Sequence, residues 1–183
     1  MLARRSADGT GWPNIVSLDA ELAAASGDRP DLARVRAGWC YGTAGVARSL
    51  QLAALALAEP EWNRQAVAAV AAACDPPGGD RGYDDATLCH GLAGLTTVAA
   101  LMAREPGGEQ LSGHLDELTT ALIRAAGPEH PFLWPATAPV GPATVHRPGF
   151  LDGAAGVALA LHFALNPSAP VGALPWDTAL LLR

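Results

Sequence analysis

The chain has 183 residues, half of them apolar, with 20 Gly, 15 Pro and a formal net charge of −6. That length allows one domain with its own hydrophobic core, and the Ala- and Leu-rich, aromatic-poor composition favours helices joined by many short connections. The 12 basic residues are all Arg and are scattered, which argues against a nucleic-acid partner, and no apolar run approaches the about 18 residues a membrane span needs.

Taken in chain order, Met1-Leu2-Ala3-Arg4-Arg5 turns polar at once and lacks the apolar core of a signal peptide. A cytoplasmic chain is expected, in which three Cys raise the question of metal binding or catalysis and not of a disulfide framework. Residues 1–37 read as an irregular segment, with Trp12-Pro13 and Arg29-Pro30 marking extended or turning backbone and a short helix around Asp19 to Ala25. From Gly38 a pattern emerges in which a Gly-rich turn leads into an apolar stretch. Tyr41-Gly42-Thr43-Ala44-Gly45 precedes Val46 to Ala58, His90-Gly91-Leu92-Ala93-Gly94 precedes Leu95 to Ala103, and Asp152-Gly153-Ala154-Ala155-Gly156 precedes Val157 to Leu165. The units stand about 50 and 60 residues apart, the scale of a helical-pair repeat.

Between them lie amphipathic segments. Glu61 to Ala73, with Pro60 in its first turn, places Ala66, Val67, Val70 and Ala71 at helical spacing. Glu109 to Ala126 places Leu111, Leu115, Leu118, Leu122 and Ile123 on one face and stops at Gly127-Pro128. Segments apolar nearly all round should be buried and amphipathic ones should lie outside. The predicted fold class is therefore all-α, a toroid or solenoid of inner and outer helices with Gly-rich turns before the inner ones.

Two of these turns carry Cys at the same place, Cys40 and Cys89, and His90 follows Cys89 directly. A lone Cys or His is more often a packed core residue than a ligand. Equivalent positions in a repeat, however, put both Cys at the same end of the inner helices, where they can converge. Two thiolates and an imidazole suit an open zinc site that keeps a fourth position for water or substrate. Cys74, His114, His130, His146 and His162 precede no matching turn. Cys74 reads as an inert thiol, His114 and His162 as helix-face residues, and His130 and His146 as loop residues. Tyr83-Asp84-Asp85 reads as a solvated turn, and Asp152 as a helix-cap acceptor.

Trp39-Cys40-Tyr41-Gly42, Cys89-His90-Gly91-Leu92-Ala93-Gly94, Gly149-Phe150-Leu151-Asp152-Gly153-Ala154-Ala155-Gly156 and the closing Trp176-Asp177-Thr178-Ala179-Leu180-Leu181-Leu182 resemble successive signatures of the lanthionine synthetase C-like family, the lanthipeptide cyclases. The resemblance implies that residues 38–183 form the carboxy-terminal half of an α/α toroid. It also implies that Zn2+ sits on Cys40, Cys89 and His90, with Arg36 and Tyr41 in the active site. The implied reaction adds a Cys thiolate of a dehydrated precursor peptide to dehydroalanine or dehydrobutyrine, closing a thioether ring. The family's catalytic His and Asp come from the amino half, so a truncated or split cyclase is expected, and a non-catalytic zinc- or peptide-binding remnant is the alternative. A dehydratase and a chain supplying the other half are the implied partners, and a half toroid should leave inner-helix apolar faces exposed.

Overall fold

The computed structural model describes residues 5–6, 9–27, 36–76, 85–137, 144–166 and 176–183. The Met1 to Arg4 start, Arg29-Pro30, Tyr83 and Asp84 lie outside them. The described elements are the helices α1 (Leu18–Ala25), α2 (Thr43–Leu57), α3 (Pro60–Cys74), α4 (Leu92–Met102), α5 (Ser112–Arg124) and α6 (Ala154–Leu165). A two-stranded antiparallel ribbon pairs β1 (Ala136–Thr137) with β2 (Thr144–Val145) in the register Ala136↔Val145. Short 3-10 turns at Glu109–Leu111 and Trp176–Leu180 complete the list. Among the described residues no helix is long and apolar enough to cross a membrane.

The helices form two layers. In the inner row, α4 packs on α2 to one side and on α6 to the other, and in the outer row α3 covers α2 while α5 covers α4 and α6. Sequence explains the assignment. All 11 residues of α4 are buried, and this is the segment with apolar or small residues on every face. α3 buries Ala66, Val67, Ala69, Val70 and Cys74 and turns the rest outward. In α5 the stripe continues from Leu111 through Leu118 and Leu122, while Ile123, expected on the same face, is 56% exposed. Ile123 stands about 100° round the helix from Leu122, which takes it off the stripe. α2 and α6 flank the row and are buried on fewer sides. Ala155, Ala158, His162 and Leu165 run exposed along one face of α6.

The inner helices begin three residues earlier than the apolar runs suggested, because each Gly-rich turn enters the helix. Gly42, Gly91 and Gly153 are the N-caps, and none caps through a side chain. The amino-terminal segment joins the same core: Trp12 is buried and its backbone N–H donates to Thr43 Oγ1 at 3.2 Å.

A polar network that the sequence did not advertise closes the fold at its carboxy end. Arg48, in the apolar α2, is only 2% exposed and donates to the Leu182 carbonyl at 2.9 Å, to Gln51 and to Glu105. Asp177, also buried, pairs with Arg183. A buried guanidinium is tolerated only when it is paired in this way.

Candidate metal centre

Three loops before α2, α4 and α6 share one backbone design. In each, the N–H of the residue after the first glycine donates to the carbonyl seven positions earlier: Thr43 to Arg36 at 2.7 Å, Leu92 to Asp85 at 3.1 Å, and Ala154 to Arg147 at 3.0 Å. The loop therefore folds back over the start of its helix. The glycines are what permit this. A Cβ on Gly42, Gly91 or Gly153 would collide with the carbonyl of Arg36, Asp85 or Arg147, and one on Gly45, Gly94 or Gly156 with that of Trp39, Leu88 or Phe150. Gly42 also has φ +134°, which side chains rarely adopt.

This common design aligns the loops position by position. Cys40, Cys89 and Leu151 occupy one place, and Tyr41, His90 and Asp152 the next. Backbone bonds stitch the three together, since Cys40 N–H donates to Cys89 O at 3.0 Å and Cys89 N–H donates to Leu151 O at 2.8 Å. Gly38 adds a close approach, as a Cβ there would stand 3.1 Å from His90 Cα. The consequence is that Cys40, Cys89 and His90, all half-buried, bring their ligating atoms within 4.8 Å of one another. Among the described residues no other such group of His, Cys, Asp and Glu forms.

The electrostatics favour a cation. Burial pushes the Cys89 thiol up to about 12, and the neighbouring Cys40 and the carboxylates of Asp152 and Asp85 push in the same direction. His90 is raised chiefly by its contact with Asp85, whose Oδ2 lies 3.6 Å from His90 Nε2, against the opposing effects of burial and the Arg36 charge. Burial drives the Asp85 carboxyl upward, but bonds from His90 and Thr87 outweigh it and bring it to about 2. A Cys89 thiol pushed up in this way by nearby negative charge is what a divalent ion would relieve. The donor set also fits in size. Tetrahedral zinc, at ~2.3 Å from sulfur and ~2.0 Å from nitrogen, needs its ligand atoms about 3.5–3.8 Å apart, and the three here lie within 4.8 Å of one another.

Arg36 lies at the base of the first loop, near enough for its charge to act on His90. Tyr41 follows Cys40 and is 64% exposed. Asp152 caps no helix: Gly153 takes the N-cap position and the Asp152 carboxylate pairs with Arg147. Asp85 is not part of a solvated turn, for its side chain is only 4% exposed. Cys74 is buried in the core, and the His130 and His146 rings meet tilted, with centroids 4.9 Å apart, and do not belong to the Cys40, Cys89 and His90 group.

The family model for lanthionine synthetase C-like protein matches residues 1–181. Among solved structures the chain is similar to one titled "Nisin cyclase", with a TM-score of 0.66 and 21% sequence identity, over 94% of this chain and 38% of that one. The fold is thus an α/α toroid arrangement, of which the chain spans well under half the length of that structure. None of the curated proteins compared with it matches.

Proposed function

The chain belongs to the lanthionine synthetase C-like family, and on that premise we propose that it is a zinc-dependent cyclase module of lanthipeptide maturation. The observation that carries the reading is the convergence of Cys40, Cys89 and His90 within 4.8 Å. These three residues would hold the metal as two thiolates and a neutral imidazole, a donor set that leaves a fourth position open. Zinc bound there would supply the Lewis acidity that lets a peptide thiol, ordinarily titrating near about 8.5, give up its proton at neutral pH.

In the proposed reaction, the peptide sulfur adds to the β-carbon of a dehydroalanine or dehydrobutyrine and the α-carbon takes up a proton, so mass is conserved. Arg36 is assigned to the active site as the cation that steadies negative charge developing on the carbonyl beside that carbon. Tyr41, exposed beside Cys40, is assigned to contact with the peptide. Among the described residues, no acid at the site is set to donate the proton: Asp85 is held ionised to about 2 and Asp152 is engaged by Arg147. The donor is assigned to the part of the toroid beyond the described residues, and the dehydrated peptide to a separate dehydratase. A reducing, cytoplasmic compartment would keep all the thiols available.

Two measurements test the reading. Purified chain should hold about one zinc per molecule, and Cys40→Ala with Cys89→Ala should empty it; zinc retained by the double variant would refute the site. Incubation with a dehydrated precursor should lower the count of alkylatable thiols without changing peptide mass. Zinc bound with thiol content unchanged, even when the rest of the toroid is added, would instead assign the chain to zinc or peptide binding without catalysis.

A further inference from the structure

Asp85 has more contacts at the site than its place before α4 requires. Its Oδ1 accepts from the Thr87 backbone N–H at 2.9 Å and from Thr87 Oγ1 at 2.7 Å. Its Oδ2 faces His90 Nε2 at 3.6 Å and takes a long 3.4 Å contact from Thr137 N–H of β1. Its own carbonyl accepts from Leu92 N–H, and Gly91 packs directly against it. The carboxylate is thus clamped from three directions, by the turn, the ribbon and the helix start, with a side chain only 4% exposed. Burying a carboxylate this deeply is costly unless it serves its partners.

We infer that Asp85 is a positioning residue for the proposed zinc site: it fixes the His90 ring so that Nε2 carries the proton and faces the carboxylate, leaving Nδ1 as the nitrogen for the metal. The third loop supports the argument. There the residue five positions before Asp152 is Arg147, and it holds Asp152 as Asp85 holds His90, with the charges exchanged. The loop design thus places a gripping residue under the position that follows the Cys, and in the second loop the gripping residue is the one that suits an imidazole. Carboxylate support of this kind orients the ring, fixes its tautomer and raises its basicity, and its removal typically costs ~10–100-fold in metal affinity.

The inference rests on the zinc reading above, and the test separates the two. Zinc affinity is measured by chelator competition on the full chain for Asp85→Asn, which keeps the Oδ1 acceptor for Thr87, in both wild-type and His90→Ala backgrounds. The expected result is a loss of roughly 10–100-fold in the wild-type background and little further loss once His90 is gone. Equal losses in both backgrounds, or none in either, would overturn it while leaving zinc binding in place. A second readout needs no variant. Long-range proton–nitrogen correlation spectra of the zinc-loaded protein should show His90 protonated at Nε2 and metallated at Nδ1, and the reverse assignment would overturn the inference. A wild-type chain that binds no zinc would take down the reading of the site and this inference with it.

Discussion

The second and third loops have the same backbone and opposite chemistry. Both fold back over the start of an apolar helix, both use paired glycines under carbonyls six residues earlier, and both lie in one hydrogen-bonded row. Yet the second presents Cys89 and His90 over Asp85, and the third presents Leu151 and Asp152 over Arg147. Glycines therefore set the loop's shape, while two or three side chains decide what the shape is for. The third loop still serves the site, because the Leu151 carbonyl holds the Cys89 backbone in place.

The largest expected effect tests the shared half of that comparison. Gly94→Ala and Gly156→Ala each drive a methyl into a carbonyl, of Leu88 and Phe150 respectively. Each should cost about 3 kcal/mol in urea unfolding of the metal-free protein. A large cost in one loop and none in the other would break the equivalence. Next comes the chemical half. Cys89→Ser should lower zinc affinity by more than about 100-fold, beyond what loss of a supporting residue costs, whereas Leu151→Ala, 40% exposed, should leave zinc stoichiometry intact and cost less than about 1 kcal/mol of stability. A comparable zinc loss from Leu151→Ala would mean that the third loop contributes more than its backbone.

The smallest effect concerns acid. The Asp85 carboxyl is depressed from 3.8 to about 2, so its stabilisation is fully present above about pH 4 and is lost as pH falls through about 2. His90 is protonated throughout that window, which keeps the pair intact. Urea midpoints of the metal-free protein at about pH 5, 3 and 2 should therefore fall more steeply for wild type than for Asp85→Asn; parallel slopes would show that the contact carries no linkage.

Much of this was legible in the sequence, and the limits have physical reasons. Helices α2 to α6 follow from apolar periodicity and punctuation, whereas α1, which buries no residue, carries no such pattern; α4's central place follows from its lack of a polar face. The repeated position of Cys40 and Cys89 pointed to one end of the inner helices, where the loops in fact meet. The early helix starts were missed because a glycine reads as a turn whether or not it lies inside the first turn of a helix. From sequence Asp85 reads as solvated, because its burial depends on Thr87, His90 and Thr137, and the last of these lies 52 residues away. Repeat alignment would have found it, since Asp85 stands where Arg36 and Arg147 stand in the other loops. Arg48 carries no sequence signal for the same kind of reason: its partners, Glu105 and the Leu182 carbonyl, are remote in the chain.

If two sulfurs and one imidazole, brought together by equivalent loops, bind a single ion, X-ray absorption at the zinc edge of the purified, metal-loaded chain will show it. The expected spectrum has two sulfur neighbours at about 2.3 Å and a nitrogen at about 2.0 Å, with one sulfur lost in Cys89→Ser. A shell of nitrogen and oxygen alone, or a spectrum indifferent to that substitution, would contradict it.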